Sequence, residues 1–372
     1  MNAARARCYN PRRNRLRATW SQRRPGNLNI TESSQHSGRL LFYVEQDYSF
    51  AVLRPLQAAA LKRGYQVRWL LVKNASKHLL EPGDMDAGDI DAAIAYDPQV
   101  VFAPGDQVPG FLPGMKVQVF HGLNEDKRGN IYPERGLFDL FCTEGPIRTS
   151  MLKPLEKRGY FRVRETGWIK LDALLEPPAE ARHYERPQIL FGSTFTPRLS
   201  GAEALFPEIR RLSQNHQWQW LITLHPKMAP ETVQKYRSLE GGNLSYFDTG
   251  GVIDLLHRAD VIVSDNSSIL QEFLLLKKPV VTYRNRDPQA CMINITDTSE
   301  LEAAIRQALN PSESLREAIE AYGPSMTPFL DGRSSDRVLD AVEEMLRSGW
   351  KDTKPANLWR NYRMRQRLNY RK

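Results

Sequence analysis

The stretch from His257 to Tyr283 reads as strand, turn, helix and strand, and it fixes the class of fold. Val261-Ile262-Val263 is a short apolar run of β-branched residues, as expected of a strand buried on both faces. Its C-terminal end delivers Ser264, Asp265, Asn266, Ser267 and Ser268 to the start of a helix carrying Glu272, and Lys278-Pro279 leads into the next apolar run. Open α/β sheets bind anionic ligands just beyond such strand ends.

The turn constrains the ligand. Ser, Asp and Asn cap a helix beginning near Ser268, and the free N–H groups and dipole of that helix favour a phosphate or diphosphate above them. Glu272 lies at i+4 from Ser268, where a carboxylate repels phosphate, so its natural partner is a sugar hydroxyl of the same nucleotide. The plainer reading of the same residues is a helix cap followed by a buried helix.

The same alternation runs through most of the chain. Leu40 to Val44, Val67 to Val72, Val100 to Ala103, Val117 to Phe120, Phe138 to Thr143 and Arg162 to Thr166 read as strands. Phe50 to Lys62, Asp89 to Tyr96 and Ile147 to Lys157 read as helices among them. Residues 173–187, with Pro177, Pro178 and Pro187, read as a linker. Strands then recur at Gln188 to Phe191, Trp218 to Leu224, Leu244 to Phe247, Val261 to Val263, Val280 to Tyr283 and Met292 to Ile295, with helices between and after them. The expected fold is α/β, with two Rossmann-like domains whose parallel sheets face a central cleft. The division expected is a basic leader at 1–38, domains at 39–172 and 188–349, and a basic, aromatic tail at 350–372.

Charge separates the body from its ends. The formal +9 of the 372 residues comes from the termini: residues 1–24 hold eight Arg and no acid, and residues 351–372 hold eight Lys or Arg against Asp352, leaving residues 25–350 at −6. That distribution argues against a specific nucleic-acid site and for contact between the tails and a polyanion or an anionic membrane surface. Trp359, Tyr362, Met364, Leu368 and Tyr370 are interleaved with the C-terminal cations, as an interfacial helix requires; the alternative is a solvated, frayed terminus. No run of 18 apolar residues is present, so the expectation is a cytoplasmic protein, peripheral on the inner face of the plasma membrane. Cys8, Cys142 and Cys291 are widely spaced and show no metal-ligand pattern, and no cofactor or metal is expected.

Two histidines follow apolar strands at equivalent positions of the two domains. His121 follows Val117-Gln118-Val119-Phe120, and His225 follows Leu221-Ile222-Thr223-Leu224. A histidine at a cleft face takes a proton from an acceptor hydroxyl near neutral pH, and Glu125 or Asp126 can orient the His121 ring. His225 with Lys227 supplies positive charge to a leaving phosphate. Each taken alone also reads as a structural histidine bonded to a loop backbone. Gly192-Ser193-Thr194-Phe195-Thr196-Pro197-Arg198 follows the first strand of the second domain, and Thr194 and Arg198 complete an anion cradle or, more plainly, a capped turn with a surface Arg. There is no GxGxxG after the first strand, no Walker loop, no GxSxG elbow and no HExxH.

Phe120-His121-Gly122, Ser193-Thr194-Phe195, Leu224-His225-Pro226, Ser264-Asp265-Asn266-Ser267-Ser268 with Glu272, Lys278-Pro279, and Asp331 to Arg337 together form an ordered set. In that order they resemble the CDP-glycerol glycerophosphotransferases, the teichoic-acid primases and polymerases, over roughly residues 115–335. The resemblance implies a GT-B type fold, and transfer of glycerol phosphate from CDP-glycerol to a hydroxyl of a lipid-linked glycan or polyol-phosphate polymer, releasing CMP. It implies His121 as general base, His225 at the donor phosphates, Ser267 and Ser268 on the diphosphate, Glu272 by the ribose, and Thr194 with Arg198 near the phosphates. The chain departs from the family where Lys127 stands six residues after the histidine with no Pro between, and where Asn266 replaces an aromatic. A GT-B glycosyltransferase or nucleotide-sugar epimerase using the same cleft, and a non-catalytic polyanion-binding protein, stand as the alternatives.

Overall fold

The computed structural model describes residues 38–72, 75, 77–123, 136–176, 183–248 and 251–370. The leader, Glu125 to Lys127 and the prolines Pro177 and Pro178 lie outside these residues.

Two parallel six-stranded sheets form the body. The first contains β1 (Arg39–Val44), β2 (Gln66–Leu71), β3 (Val100–Ala103), β4 (Met115–Val119), β5 (Leu140–Thr143) and β6 (Arg162–Glu165), in the order β2-β1-β3-β4-β5-β6. The second contains β7 (Gln188–Ser193), β8 (Gln219–Leu224), β9 (Leu244–Tyr246), β10 (Val261–Ser264), β11 (Val280–Tyr283) and β12 (Met292–Ile295), in the order β12-β11-β10-β7-β8-β9. The helices are α1 (Tyr48–Lys62), α2 (Ile90–Ala95), α3 (Pro146–Leu152), α4 (Lys170–Leu175), α5 (Ala202–Ser213) and α6 (Pro230–Arg237). They continue with α7 (Val252–Arg258), α8 (Ile269–Leu275), α9 (Leu301–Leu309), α10 (Glu313–Met326), α11 (Ser334–Arg347) and α12 (Leu358–Arg367).

Alternation along the strands feeds two cores per sheet. Leu40 and Phe42 point into one cluster and Leu41 and Tyr43 into the other; Ile189 and Phe191 are likewise separated from Leu190. Both sheets are therefore covered on each face, as the α/β reading requires.

The expected division of the chain is corrected at two places. Residues 173–187 are not all linker: α4 ends at Leu175, and its Leu171 and Leu174 are buried among Leu190, Leu270 and Phe273 of the second half. The last helices do not all stay with the second sheet. Val338, Leu339 and Val342 of α11 pack against Leu53, Leu56 and Ala60 of α1, and Arg63 binds Asp336 at 2.9 Å and Asp340 at 2.7 Å. Asp172 of α4 fastens this return, accepting from the backbone N–H groups of Ser334 (2.8 Å) and Ser335 (2.6 Å), which open α11. A side-chain acceptor on otherwise unmet helix donors contributes about 1 kcal/mol.

Residues 350–370 are likewise no free tail. Lys354 Nζ lies 2.5 Å from Asp139 Oδ1 at the N-terminal edge of β5, with both groups nearly buried. Met364 is buried and Leu368 and Tyr370 pack on the first sheet's second core, so α12 is docked along the first half. Among the described residues no helix is long and apolar enough to cross a membrane.

Candidate functional site

The second sheet reverses its strand order between β7 and β10, the place where an open parallel sheet leaves a crevice. Ser193 and Thr194 end β7 there, and Ser264 to Ser268 follow β10. Asp265 is fully buried and binds across the crevice floor. Its Oδ2 accepts from Ser193 Oγ (2.5 Å) and Gly201 N (2.8 Å), and its Oδ1 from the backbone N–H groups of Thr194 (3.1 Å) and Asn266 (2.6 Å). Burial still pushes this carboxyl above its usual range, while the four donors pull it down. Ser264 is equally buried and donates to Gly192 O at 2.5 Å. Ser264 and Asp265, expected on the ligand, are thus structural: they lock the β7 loop to the end of β10.

Ser267 and Ser268 are placed differently. Ser267 is half-buried, and Ser268 is exposed and makes no side-chain cap bond to α8. The departure at Asn266 has a clear local role. Its side chain accepts from Arg286 N (2.9 Å) and donates to Leu199 O (3.1 Å), joining the loops after β7, β10 and β11.

Glu272 has a partner that sequence reasoning missed. Lys170, at the start of α4, places Nζ 2.6 Å from Glu272 Oε1 across the join between the halves. The second oxygen, Oε2, is buried without a hydrogen-bond partner, which a carboxylate tolerates poorly. A donor hydroxyl of a ligand would satisfy it. Nothing in the local pattern of Lys170 marks it, because its partner lies 102 residues on.

The cradle residues are divided. The backbone N–H of Thr194 is spent on Asp265 and its side chain is buried, whereas Arg198 is exposed. Lys227 is also exposed, with Nζ 5.7 Å from the centre of the Phe195 ring.

Both histidines stand at C-terminal strand ends, and each lies against an aromatic ring. His121 packs on Tyr48 at 4.6 Å with a 36° tilt, and His225 on Phe195 at 4.4 Å with a 35° tilt. Their positions are not equivalent: His225 follows the strand beside β7, whereas His121 follows β4, which is separated from β1 by β3. Their backbone bonds also differ. His121 Nδ1 lies 3.2 Å from the carbonyl of Pro104, so Nδ1 carries the proton and the lone pair of the neutral ring is on Nε2. His225 Nδ1 instead accepts from Lys227 N–H at 3.0 Å, so Nε2 is the protonated nitrogen.

Neighbouring buried groups hold the His121 turn against the second half. Arg148 pairs with Glu144 at 2.9 Å, donates to Gly122 O at 3.2 Å and lies 3.8 Å over the Phe120 ring; burial pulls its guanidinium down to about 9. Trp168 Nε1 donates to Phe120 O at 3.2 Å. Leu123, two residues past His121, is buried in the core that includes Leu190, Leu270 and Phe273. His121 therefore lies where the halves meet. A cavity of about 1050 Å³ lies elsewhere, between α1, α4 and the 330–336 loop, and much of its wall charge is internally paired, as in Arg54–Asp84 and Arg63–Asp336.

Residues 185–287 match the family described as CDP-glycerol:poly(glycerophosphate) glycerophosphotransferase. The teichoic acid ribitol-phosphate primase of Bacillus spizizenii is 25% identical over 215 residues, a match covering 52% of this chain and 53% of that relative. The second half of the chain is similar to the CDP-glycerol glycerophosphotransferases, and the chain spans about half the length of that primase. In solved structures, the wall teichoic acid polymerase TagF shares the fold with a TM-score of 0.59 and 13% identity, over 86% of this chain and 92% of that one. A Listeria monocytogenes protein described as a UDP-N-acetylglucosamine 2-epimerase shares it with a TM-score of 0.62 and 15% identity, over 85% and 98%. These likenesses establish the two-sheet fold. The glycerophosphotransferase match begins just before β7 and ends after β11, so it encloses Thr194, Arg198, His225, Lys227, Ser264 to Ser268 and Glu272, and excludes His121.

Proposed function

We propose that the protein transfers glycerol phosphate, or a related polyol phosphate, from a CDP-linked donor to a hydroxyl of a lipid-linked glycan or polyol-phosphate chain, releasing CMP. The observation that carries this reading is a pair of histidines at strand ends, fixed by backbone bonds in opposite tautomers. The Nε2 lone pair of His121 accepts the proton of the acceptor hydroxyl as its oxygen attacks the phosphorus that bears the polyol. The new P–O bond forms as the phosphoanhydride bond breaks, and the electron pair of that bond leaves on CMP. His225 presents Nε2–H to a phosphate oxygen, where a fixed donor stabilises the charge developing on the leaving group.

The other site residues support the same arrangement. Ser267 and Ser268 offer hydroxyls to the diphosphate, and Arg198 and Lys227 are exposed cations beside it. Thr194 shapes the floor through its backbone rather than by touching the donor. Glu272 Oε2 takes a ribose hydroxyl while Lys170 holds Oε1. The family match over the second half supports a CDP-linked donor, and the likeness to a ribitol-phosphate primase supports a polyol phosphate as the group moved.

CMP release is measured on mixing the protein with CDP-glycerol or CDP-ribitol and a short glycerol-phosphate or lipid-linked acceptor. Acceptor-dependent CMP, lost in His121→Ala, is the expected result. No CMP with either donor, and thermal stabilisation by a UDP-sugar instead, would transfer the site to nucleotide-sugar chemistry.

A further inference from the structure

The loop between β3 and β4 is covered by the C-terminal helix. Arg365 of α12 lies 4.3 Å over the Phe111 ring, and Tyr370 stacks on that ring at 5.2 Å. Asn361 closes over Gly110, where an added Cβ would lie 2.7 Å from its Oδ1. The helix ends at Arg367, which reaches two loops at once. One end of its guanidinium donates to Gln107 Oε1 at 2.5 Å, in the loop after β3, and the other binds Glu45, just beyond β1. Glu45 also accepts from the hydroxyl of the buried Tyr43 at 2.7 Å, so the carboxylate that Arg367 meets is held from within the sheet.

Both loops lead to His121. The loop after β3 opens with Pro104, whose carbonyl lies 3.2 Å from His121 Nδ1. The turn after β1 leads into Tyr48, whose ring lies 4.6 Å from that of His121. Gln107 stands three residues after Pro104, and Glu45 three residues before Tyr48. The histidine is therefore held between a carbonyl from one loop and a ring from another. From β4 itself, the buried Gln118 donates to Gly105 O at 2.9 Å and steadies the first loop. A planar guanidinium fork, bound at both ends, sets the spacing of the two loops more closely than a single point charge would.

We propose that Arg367 is a positioning residue for His121, tying the loop that holds the ring's proton to the turn that packs on its face. The catalytic consequence rests on the reading of His121 as base; the tie itself does not. An ion pair this close to solvent contributes roughly 0–1 kcal/mol to stability, so its main effect is on the geometry of the ring. A ring released from Pro104 O is free to carry its proton on Nε2, which moves the lone pair to Nδ1 and takes it from the nitrogen that meets the acceptor hydroxyl.

The test is heavy-nitrogen NMR of the histidine rings in the full chain, at a pH where imidazole is neutral, with the His121 signals identified by their loss in His121→Gln. Wild type is expected to show a protonated Nδ1 and an unprotonated Nε2. Arg367→Met is expected to bring the two shifts together, as a ring exchanging between tautomers does, with little change in the melting curve. Gln107→Ala cuts the same tie from the other loop and leaves the ion pair with Glu45; it is expected to act alike, and the double variant to add nothing. Arg363→Met, on the same helix but with its guanidinium 5.0 Å over Trp359, is expected to leave the ring as it was. In CMP release from CDP-glycerol, Arg367→Met is expected to lower kcat about tenfold with little change in KM for the donor. Unchanged ring nitrogens in both Arg367→Met and Gln107→Ala overturn the proposal, whatever happens to turnover. Altered nitrogens with wild-type CMP release uphold the tie and count against His121 as base, so the two readings fail separately.

Discussion

The open ends of the two sheets use the same materials to opposite effect. At β4 a histidine lies on Tyr48 and gives its Nδ1 proton to a carbonyl; at β8 a histidine lies on Phe195 and accepts a backbone proton at Nδ1. The neutral ring of one carries its lone pair on Nε2 and that of the other its N–H there, although each ring closes a strand and lies on an aromatic side chain. The difference lies in which backbone group is nearest, Pro104 O or Lys227 N. It teaches that the role of a histidine is decided one bond away from the atom that acts.

The largest expected effect tests that difference directly. His121→Ala should lower kcat/KM by about 10²–10⁴ and abolish the acidic limb of the pH profile, since only the neutral ring accepts a proton. His225→Ala should cost about 10², but the acidic limb should persist, and His225→Gln, which retains a neutral N–H donor, should recover part of the loss. If His225→Gln removes the limb and His121→Ala keeps it, the two roles are reversed.

The second effect concerns the floor beneath His225. Asp265→Ala leaves one hydroxyl and three backbone N–H groups without their acceptor, and denaturant unfolding should show a loss of about 3 kcal/mol or more. Loss of donor binding at unchanged stability would instead restore Asp265 to the ligand.

A third test follows β4 from its open end to its closed one. Lys116 is buried there, donating to Leu112 O and Gly114 O at 2.5 Å each, and burial, helped by the nearby Lys354 charge, pulls its ammonium down to about 8. The unfolded chain then holds this proton up to the ordinary lysine range while the folded chain has released it. Folding stability should rise between about pH 8 and 10.5, on the order of 3 kcal/mol. Lys116→Met should lack that rise when compared with wild type across the same pH series.

The smallest effect separates the aromatic neighbour from the ring it touches. Phe195→Leu should lower kcat/KM by about threefold, consistent with an aromatic contact of about 0.5–1.5 kcal/mol. An equal loss in a His225→Ala background would show that Phe195 acts independently of that ring.

Much of this arrangement is legible in the chain. Val100–Ala103 is a strand with the very limits its apolar run marks, because a strand buried on both faces has no polar residue to blur its ends, and Val280–Tyr283 and Met292–Ile295 keep their expected limits although they include Thr282 and Asn294. His121 and His225 stand out for the same reason, each closing such a run. What the chain conceals depends on distant partners. The acceptor role of Asp265 is fixed by Ser193 and Gly201, 72 and 64 residues earlier, so in sequence it looks like one more ligand group in a polar turn. Ala173-Leu174-Leu175 before a Pro pair reads as linker, and only Ser334 and Ser335 reveal what the adjoining Asp172 does. The stripe of α11 declares that it is buried, but not against which sheet.

That last point bears on how the molecule is made. The core under α1 is completed by Val338, Leu339 and Val342, after both sheets have been synthesised. During translation the first half therefore waits with the part of its core that α11 covers still open, while the second half, nested within it, can close its own sheet first. The order of assembly is inverted relative to the order of sequence, and a ribosome that stalls before residue 338 leaves the first half, not the second, exposed to aggregation.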